Sequence, residues 1–348
     1  MKKKWLLIIT LSIIILITAR FYYYKFSFSL FSEKQFHMAT TMNIEIFERN
    51  YKEKQVKKAI QTAYSIIRET ELSASWFEKD SDPSRIAKYA GITNVAIQKS
   101  TADMLEFAAF LSQKTDGLFD VTAGPLIRLW GFGPDKTNEI PTSSQILEAK
   151  KRVGINLVEI YTNAAGYSVR TTITNVQCDF SSLAPGKAAD LVAEYLLNSG
   201  YSNFLIDCGG EIRTASKDKK IWKIGIQIPN SNAKNNEYLE DYIVCLKNGA
   251  ISTSGSYRNF IEHNGKRLSH IIDTKSGYPT QSDVVSVSVI DNSMDEDICM
   301  KVDGWSTALM CLQYEQAINF AESNQLKCLI INNSGTVYQT KGWTLNNL

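Results

Sequence analysis

The sequence has few of the residues that build a zinc site or a disulfide framework. Of its 348 residues only three are histidines, and its six cysteines are too far apart to form a CxxC pair. A Cys/His zinc site is therefore not expected, and the cysteine spacing gives no disulfide framework. We interpret the cysteines as mostly buried small hydrophobic residues.

The chain also lacks a strong charge of either sign, internal repeats and low-complexity segments. Its formal net charge is +2, and its 38 lysines and arginines are scattered along the sequence. This counts against a polyanion partner, nucleic acid in particular. The remaining composition, with 44% hydrophobic and 21% charged residues, is that of a globular protein of one or two domains with a sizeable core.

A long apolar run stands at the N-terminus. Three lysines at positions 2–4 precede an apolar stretch over residues 5–19, and Arg20 and an aromatic cluster at residues 21–24 follow it. A basic segment before such a run is typical of an export signal. The run is short for a span of about 20 residues, but the aromatic cluster could extend it to the membrane interface.

This segment is predicted to remain as a membrane anchor over residues 1–25. No small-x-small cleavage site is evident, because Arg20 and Phe21 follow Ala19, and no cysteine follows that could carry a lipid. A cleaved signal is the alternative. Because positively charged flanks stay in the cytoplasm, the three lysines place the rest of the chain on the extracytoplasmic face, although basic residues after the run weaken this bias.

Beyond the anchor, residues 26–35 are predicted as a short tether and residues 36–348 as the folded body. Apolar spacing predicts helices over residues 54–72, 102–115, 143–152 and 184–198, and a last helix from about 295 to 322. Strands are predicted over residues 42–47, 175–180, 204–207, 222–228, 268–272 and 284–290, with a closing hairpin over 329–339. Because strands and helices mix without strict βαβ alternation, the predicted fold class is α+β.

The segment Asp303-Gly-Trp-Ser-Thr307 could hold a metal ion. A carboxylate and a hydroxyl four residues apart share one helix face. Both are hard oxygen donors, which magnesium takes while keeping waters for a phosphate. On spacing alone a structural alternative is favoured, in which the aspartate complements the helix dipole and the threonine bonds back to the preceding turn.

Two further segments could meet a phosphate. Residues 179–187 are predicted as a strand end, a turn and a helix start, where free backbone N–H groups suit a phosphate, although the glycines are too few for a Walker loop. Residues 252–257 gather hydroxyls around one glycine. An ordinary capped turn and a polar hairpin are the respective alternatives.

A histidine and a glycine-rich loop complete the candidates. His270 is predicted to lie in a strand beside a turn and is a candidate general base for a hydroxyl nucleophile, although a lone strand histidine is more often structural. Residues 117–125 contain glycines that let the backbone approach a planar ligand, and Phe119 or Trp130 could pack against it. A buried loop is the alternative.

Taken together, these stretches resemble the ApbE family of FAD:protein FMN transferases in order and spacing, from about residue 36 to 345. Each piece alone is weak, whereas eight pieces in one order are specific. The pieces are Met38-Ala-Thr-Thr41, Ser73-Ala-Ser-Trp76, Gly117-Leu-Phe-Asp-Val-Thr-Ala-Gly-Pro125, Asp207-Cys-Gly-Gly-Glu211 and residues 179–190, 252–257, 270–279 and 303–307.

The resemblance implies an α+β fold of mixed, largely antiparallel sheets packed with helices, which binds FAD beside Mg²⁺. It implies magnesium ligands at Asp303, at Thr307 and at Ser182, the last through its backbone carbonyl. The sequence departs from the family pattern at Ala39, Lys187, Ser306 and, within the flavin contacts, Pro185. The implied flavin-nucleotide contacts are Met38, Trp76, Leu118, Phe119, Asp120, Asp179, Pro185 and Ile272.

The reaction implied by the resemblance is magnesium-dependent cleavage of FAD with release of AMP. FMN is joined by a phosphoester bond to a Thr or Ser of an acceptor protein, often a membrane redox subunit. We expect His270 or Asp303 to accept the hydroxyl proton and favour His270, because a metal-bound carboxylate is a poor base. The alternatives are an FAD pyrophosphatase that uses water as the acceptor, and a flavin-binding protein without turnover.

Overall fold

The computed structural model describes residues 2–133, 139–217, 220–230, 237–257, 260–263 and 266–343. Its helices are α1 (Lys2–Phe26), α2 (Glu53–Ala74), α3 (Asp82–Lys88), α4 (Lys99–Lys114), α5 (Gly124–Leu129), α6 (Ser143–Lys150), α7 (Ala184–Asn198), α8 (Ile298–Met310) and α9 (Tyr314–Ser323). Its strands are β1 (Phe28–His37), β2 (Thr40–Arg49), β3 (Val95–Ile97), β4 (Val158–Asn163), β5 (Gly166–Thr171), β6 (Asn203–Asp207), β7 (Ile212–Ser216), β8 (Trp222–Gln227), β9 (Tyr238–Leu246), β10 (Gly249–Gly255), β11 (Phe260–His263), β12 (Lys266–Ser269), β13 (Ile272–Asp273), β14 (Tyr278–Pro279), β15 (Val284–Asp291), β16 (Lys327–Asn332) and β17 (Val337–Gln339).

One large sheet organises the chain. Its strand order is β1-β2-β6-β7-β10-β15-β16-β17, and each neighbouring pair is antiparallel. A three-stranded sheet, β3-β5-β4, and three smaller hairpins are also antiparallel. The α+β fold with antiparallel sheets and helices is therefore confirmed.

Alternating side chains of the large sheet build a core on each face. On β16, Cys328 and Ile330 point into the main core with α2, α7 and α8, whereas Leu329 and Ile331 point to the opposite face, which is covered by the β8–β9 hairpin. Successive strand residues face opposite sides, so the apolar run of this strand reflects burial on both faces. The sheet thus holds α8 firmly against its surface.

A second core joins α8 to the turn that precedes α7. Met104 and Leu105 of α4 pack with Phe180, Leu183 and Ala308 in a buried cluster. Burying a side chain of this size contributes about 2 kcal/mol. The turn after residue 179 and the helix α8 are therefore fixed to the same apolar support.

Several predicted elements are confirmed, and others are wrong. The predicted helix over residues 184–198 matches α7, and the predicted strand over 284–290 lies in β15. The predicted strand over 175–180 is absent from the ladders: Asn175 has a left-handed φ of 61°, and Gln177 makes only an isolated bridge to Ala123. The predicted last helix is two helices, because the chain turns after Met310 and a capping box at Gln313 starts α9.

The predicted tether over residues 26–35 is a strand in the structure. Residues Phe28–His37 pair with β2 over ten residues at the edge of the large sheet. Their exposure alternates along the strand, as expected for a half-buried edge. The sequence does not show this alternation, because residues 32–35 are all polar. The segment belongs to the folded body.

The N-terminal helix α1 is compatible with a membrane span. Its residues Ile9–Phe26 are long and apolar enough to cross a bilayer, and none of that window is buried against the rest of the chain. Length and composition alone support this statement. The predicted anchor over residues 1–25, and the side of the membrane on which the body lies, remain predictions.

Candidate active site

A cavity of about 830 Å³ lies where the loop after α4, the turn before α7, the end of β10 and helix α8 meet. It brings together ten of the twelve site residues that were predicted from the sequence. These are Trp76, Leu118, Phe119, Asp120, Asp179, Ser182, His270, Ile272, Asp303 and Thr307.

Met38 and Pro185 are not among the residues that line this cavity. Met38 lies in the β1–β2 turn with φ 47°, its side chain packs on the main core, and its backbone N–H donates to Glu71 at 2.9 Å. The neighbouring Ala39 lines the cavity instead. Pro185 lies in the first turn of α7, where its fixed φ suits a helix start. Their roles in nucleotide binding remain predictions.

Asp303 sits on α8 at the floor of the cavity and is almost fully buried. The backbone N–H of Gly186, in the first turn of α7, donates to its Oδ2 at 3.2 Å. α7 and α8 approach closely here, since a Cβ on Gly186 would stand 2.6 Å from the carbonyl oxygen of Cys299. The spacing of Asp303 and Thr307 predicted one helix face, and both side chains do reach the same cavity.

A second carboxylate accompanies Asp303. Glu211 lines the same cavity and accepts a hydrogen bond from Ser252 Oγ at 3.3 Å. Burial and then the charge of Glu211 raise the pKa of Asp303 well above its usual range. Burial and then the charge of Asp207 raise the pKa of Glu211 to about 8. A cation would stabilise the charged form of the buried Asp303 beside the half-buried Glu211.

Hydroxyl groups surround the carboxylate on α8. Ser254 Oγ lies 3.1 Å from Thr307 Oγ1 and 2.7 Å from Ser306 Oγ. Ser306 is buried, lies 3.2 Å from Ser252 Oγ and donates to the backbone carbonyl of Asp303 at 2.8 Å. The serine at 306 therefore ties α8 to β10, and it leaves Thr307 as the α8 hydroxyl that faces the cavity.

The donor set on the cavity floor fits magnesium. Within the described residues no group of three or more His, Cys, Asp and Glu side chains could hold a metal ion. Magnesium needs few protein ligands, prefers oxygen and keeps several waters. Asp303, Thr307 and the Ser182 turn offer a carboxylate, a hydroxyl and backbone oxygens on one cavity, which is this kind of incomplete oxygen site.

One wall of the cavity is aromatic. Trp76 is buried and makes an edge contact with the exposed Phe77, their ring centroids 5.8 Å apart, and both line the cavity with Phe119. His270 also lines the cavity and makes an edge contact with Phe132, their ring centroids 6.4 Å apart. Its predicted place in a strand is wrong: it lies in the bend between β12 and β13.

Two aspartates hold the loops that form the rim. Asp120 accepts hydrogen bonds from the Thr122 N–H at 2.8 Å and the Ile155 N–H at 2.8 Å, and burial raises its pKa. Asp179 accepts from the Ser181 N–H at 2.9 Å, and burial raises its pKa too. The backbone N–H of Asp179 donates to Val121 at 2.7 Å, so the two loops are joined directly.

Lys187 does not reach the cavity. Lys187 is a residue of α7, and its side chain is buried. Its Nζ forms ion pairs of 2.6 Å with Asp103 and 2.5 Å with Asp297. Asp297 is the residue at which α8 starts. The lysine that departs from the family pattern is therefore used to hold α4, α7 and α8 together.

Sequence reasoning assigned no role to Glu211 and named Ser254 only within a hydroxyl cluster. Both line the cavity. The signal for Glu211 was present in Asp207-Cys-Gly-Gly-Glu211, where a carboxylate follows a buried strand and two glycines with positive φ. Its proximity to Asp303 depends on the strand order β6-β7-β10, which no local pattern reveals.

The whole arrangement matches a known class of enzymes. A flavin transferase ApbE from Vibrio cholerae, of solved structure, superposes with a TM-score of 0.76 at 30% sequence identity, covering 90% of this chain and 98% of that chain. The fold is therefore that of the flavin transferases. The chain belongs to the ApbE family, whose model matches residues 38–330. This confirms the resemblance inferred from the motifs.

Curated relatives extend the comparison. The FAD:protein FMN transferase of Haemophilus influenzae is 33% identical over 308 residues, 87% of this chain and 87% of its own length. That of Vibrio cholerae is 35% identical over 301 residues, 84% of this chain and 85% of its own length. The similarity thus spans the body that carries the cavity.

Proposed function

We propose that this chain is an FAD:protein FMN transferase that uses the 830 Å³ cavity as its active site and magnesium as its metal ion. The observation that carries the proposal is the convergence of Asp303, Thr307 and the Ser182 turn on a cavity whose other wall is aromatic. The aromatic side chains suit the flavin ring, and the oxygen donors, with a magnesium ion, suit the diphosphate of FAD. Membership of the ApbE family supports the same assignment.

Phosphoryl transfer depends mainly on positioning and on charge neutralisation. Trp76 and Phe119 would hold the flavin ring. The N–H groups of Ala184, Gly186 and Lys187 are hydrogen-bonded within the chain, so they are not free for the phosphate contact predicted at the start of α7. Magnesium held by Asp303, Thr307 and the Ser182 carbonyl would offset the negative charge of the diphosphate. Gly186 orients Asp303 through its backbone, so the carboxylate does not have to reorganise during the reaction.

The chemical step breaks the phosphoanhydride bond of FAD and forms a phosphoester bond. The hydroxyl oxygen of a Thr or Ser on the acceptor protein bonds to the phosphorus of the FMN half. The bond from that phosphorus to the bridging oxygen breaks, and AMP leaves with the oxygen. His270 accepts the hydroxyl proton, since it lines the same cavity as Asp303 and Thr307 and an imidazole is a common general base.

The place of the reaction follows from α1. We assign this helix to the cytoplasmic membrane of a bacterium as an uncleaved anchor, with the body on the extracytoplasmic face, because three lysines precede the apolar run. An acceptor that this enzyme meets there is a membrane protein or a protein exported to that side. A redox subunit that carries covalent FMN fits this description.

Incubation of the full-length chain with FAD, Mg²⁺ and candidate acceptor proteins tests the proposal. The expected result is an acceptor that gains the mass of one FMN residue, together with one AMP released per acceptor, both lost with a metal chelator. FMN and AMP released without acceptor modification would identify an FAD pyrophosphatase and overturn the transferase proposal. FAD that stays intact with Mg²⁺ and every acceptor would indicate a flavin-binding protein and overturn it as well.

A further inference from the structure

The anchor helix and the body are joined almost without a linker. α1 ends at Phe26 and β1 begins at Phe28, so Ser27 alone separates the apolar helix from the edge strand of the large sheet. A flexible tether of ten residues would let the body sample a wide range of distances from the membrane. Ser27, whose N–H and carbonyl are both hydrogen-bonded, does not allow such a range of distances.

Side chains of the body cap the end of the anchor. The last carbonyls of an α-helix have no donor within the helix. Asn50 Nδ2 donates to the carbonyl of Tyr24 at 2.8 Å, and Arg49 Nη1 donates to that of Phe26 at 3.1 Å. The Asn50 N–H also donates to the carbonyl of Ser27 at 2.9 Å. These bonds join α1 directly to the end of β2, so they fix the direction of the helix relative to the sheet.

The surface around this junction is aromatic and basic. Phe28 stacks on Phe47 with their ring centroids 5.3 Å apart, and the Arg49 guanidinium lies 4.8 Å above Phe28. Glu48 on the same strand is paired with Lys52 at 2.8 Å. We call the following six residues the junction collar: Phe26, Phe28, Phe47, Arg49, Tyr51 and Lys220, the last of which lies 5.2 Å above the Phe47 ring.

The collar keeps large aromatic side chains in contact with solvent. Phe26, Phe28 and Tyr51 are 47%, 41% and 44% exposed, next to the exposed tyrosines at positions 22–24 of α1. Aromatic side chains that surround the end of a membrane span are stabilised at the headgroup level. Basic groups at the same level are attracted to anionic lipids. The composition of the collar therefore matches the interface of a bilayer that contains anionic lipid.

We propose that the junction collar lies in the headgroup layer and that it holds the catalytic body in one fixed orientation on an anionic membrane surface. This rests on the proposed insertion of α1 in the membrane. An acceptor would then have to present its hydroxyl to a cavity whose orientation relative to the membrane is set, which selects acceptors whose modified segment reaches that fixed position.

Site-directed nitroxide labels on the full-length chain in nanodiscs test the proposal. The labelled variants are Phe28→Cys in the collar, Leu16→Cys in α1 and, as a control on the exposed surface of β4, Tyr161→Cys. The unsubstituted chain supplies the background, since its native cysteines are buried apart from the half-buried Cys311. With phosphatidylglycerol present, the labels at Leu16 and Phe28 should be more accessible to oxygen than to a water-soluble nickel chelate, and the label at Tyr161 the reverse.

The outcomes separate the two parts of the proposal. If the label at Leu16 lies inside the bilayer and the label at Phe28 is as exposed to water as that at Tyr161, the collar does not lie in the headgroup layer. That result would overturn the collar proposal and leave the insertion of α1 intact. An aqueous label at Leu16 would overturn the insertion of α1 and the docking with it. Neither outcome touches the transferase activity, which is measured separately by acceptor mass.

The rigidity of the junction has its own measurement. The distance between labels at Leu16 and Tyr161 should be narrowly distributed in the native background. It should broaden at least twofold when Asn50→Ala and Arg49→Ala are combined, since the donors to the α1 carbonyls are lost. Lys57→Ala, which removes an exposed ion pair on α2, is the matched control and should leave the width unchanged. A native distribution as broad as that of the double variant would overturn the fixed orientation.

Discussion

The backbone N–H of Gly186 donates a hydrogen bond of 3.2 Å to Oδ2 of Asp303, and through it the first turn of α7 orients the buried carboxylate on α8. At this separation of the two helices there is no room for a Cβ at position 186, so the close contact requires glycine. The position of the proposed magnesium ligand is thus set by the backbone of a neighbouring helix. Changes to the helix contact should affect the site even where no donor oxygen is altered.

Gly186→Ala tests this helix contact. The new Cβ would stand 2.6 Å from the Cys299 carbonyl oxygen and 2.7 Å from the Met300 Cα, and these backbone atoms cannot rotate away. We expect the helices to separate, with a loss of about 1–3 kcal/mol in the free energy of unfolding and a larger loss of transfer activity. Urea denaturation and the acceptor mass assay measure the two effects.

Gly342→Ala is the control for that substitution. The nearest atom to its new Cβ is Cγ of Lys327 at 3.0 Å, on a flexible side chain that can move. Its stability and activity should stay close to those of the native chain. If the two alanine variants behaved alike, the close approach of α7 and α8 would not be what positions the carboxylate.

Asp303→Asn should abolish FMN transfer while the fold is kept. The amide keeps the shape of the side chain but removes the charge that would hold the cation, and a loss of at least 10²-fold in rate is expected. In the absence of metal the variant should be at least as stable as the native chain, because burial and Glu211 disfavour the charged form of Asp303. Mg²⁺ should raise the melting temperature of the native chain alone. A variant that still modifies its acceptor at the native rate would refute the metal assignment.

The parts of this site that sequence reasoning predicted are the local ones. The i,i+4 spacing of Asp303 and Thr307 and the apolar period of α7 define one helix face each, and both are present in the structure. Glu211 reaches the cavity from the loop before β7, and Ser254 reaches it from β10. These two segments are neighbours only through the strand order of the sheet. Pairing between distant strands leaves no local pattern, so the motif resemblance, and not periodicity, brought those segments together.

The edge strand β1 illustrates the opposite error. Its sequence from Phe28 to His37 has no regular alternation of apolar and polar residues, since positions 32–35 are all polar, and only the exposure of the folded strand alternates. The ten-residue pairing with β2 outweighs the freedom of a linker, because each paired residue gains sheet hydrogen bonds and partial burial. The proximity of a membrane helix does not by itself predict a flexible connection.

His270→Gln separates proton transfer from substrate binding. Glutamine keeps a polar group of similar reach in the bend between β12 and β13 but cannot accept a proton near neutral pH. We expect FAD affinity to change less than threefold and the transfer rate to fall by about 10²–10⁴-fold. Fluorescence titration of FAD measures the first and the acceptor mass assay the second. Equal losses in both would indicate that His270 serves in binding and not as the base.

Lys187→Met should destabilise the chain through the start of α8. The lysine is buried between Asp103 and Asp297, and its removal leaves Asp297 without its partner, while Asp103 keeps Lys99 at 2.9 Å. A loss of about 2 kcal/mol in unfolding free energy is expected, less than for a fully buried pair, because both carboxylates remain partly exposed.

The double variant of Lys187→Met with Asp297→Asn is the matched test. Asp297 has a left-handed φ of 59°, a conformation that asparagine tolerates well, so the second change removes the charge without new strain. It should recover part of the lost stability. A double variant that is less stable than Lys187→Met alone would show that the unpaired charge of Asp297 is not what destabilises the single variant.

The pH dependence of stability should carry a contribution from Asp190. This carboxylate accepts hydrogen bonds from the Cys299 and Met300 N–H groups at 3.1 and 2.9 Å, and lies 3.5 Å from Arg213. Burial nevertheless raises its pKa to about 6, against about 3.9 in an unfolded chain. At pH values between these two pKa values, Asp190 is protonated in the folded state and ionised in the unfolded state. The stability that Asp190 contributes is therefore fully present below about pH 4 and is lost as the pH rises through about 6.

Asp190→Asn removes this titration, so the difference between the native chain and the variant isolates it. The native free energy of unfolding should fall relative to that of Asp190→Asn by about 2 kcal/mol between pH 4 and 6, and stay level above that range. Asp116→Asn is the control of opposite sign: this exposed carboxylate has its pKa lowered by Lys275, so its contribution is lost as the pH falls. Urea denaturation of the detergent-solubilised chain across this range measures both. A difference for Asp190→Asn that grew with rising pH would mean that Arg213 and the α8 N–H groups outweigh burial, and that the carboxylate which caps α8 is held in its charged form.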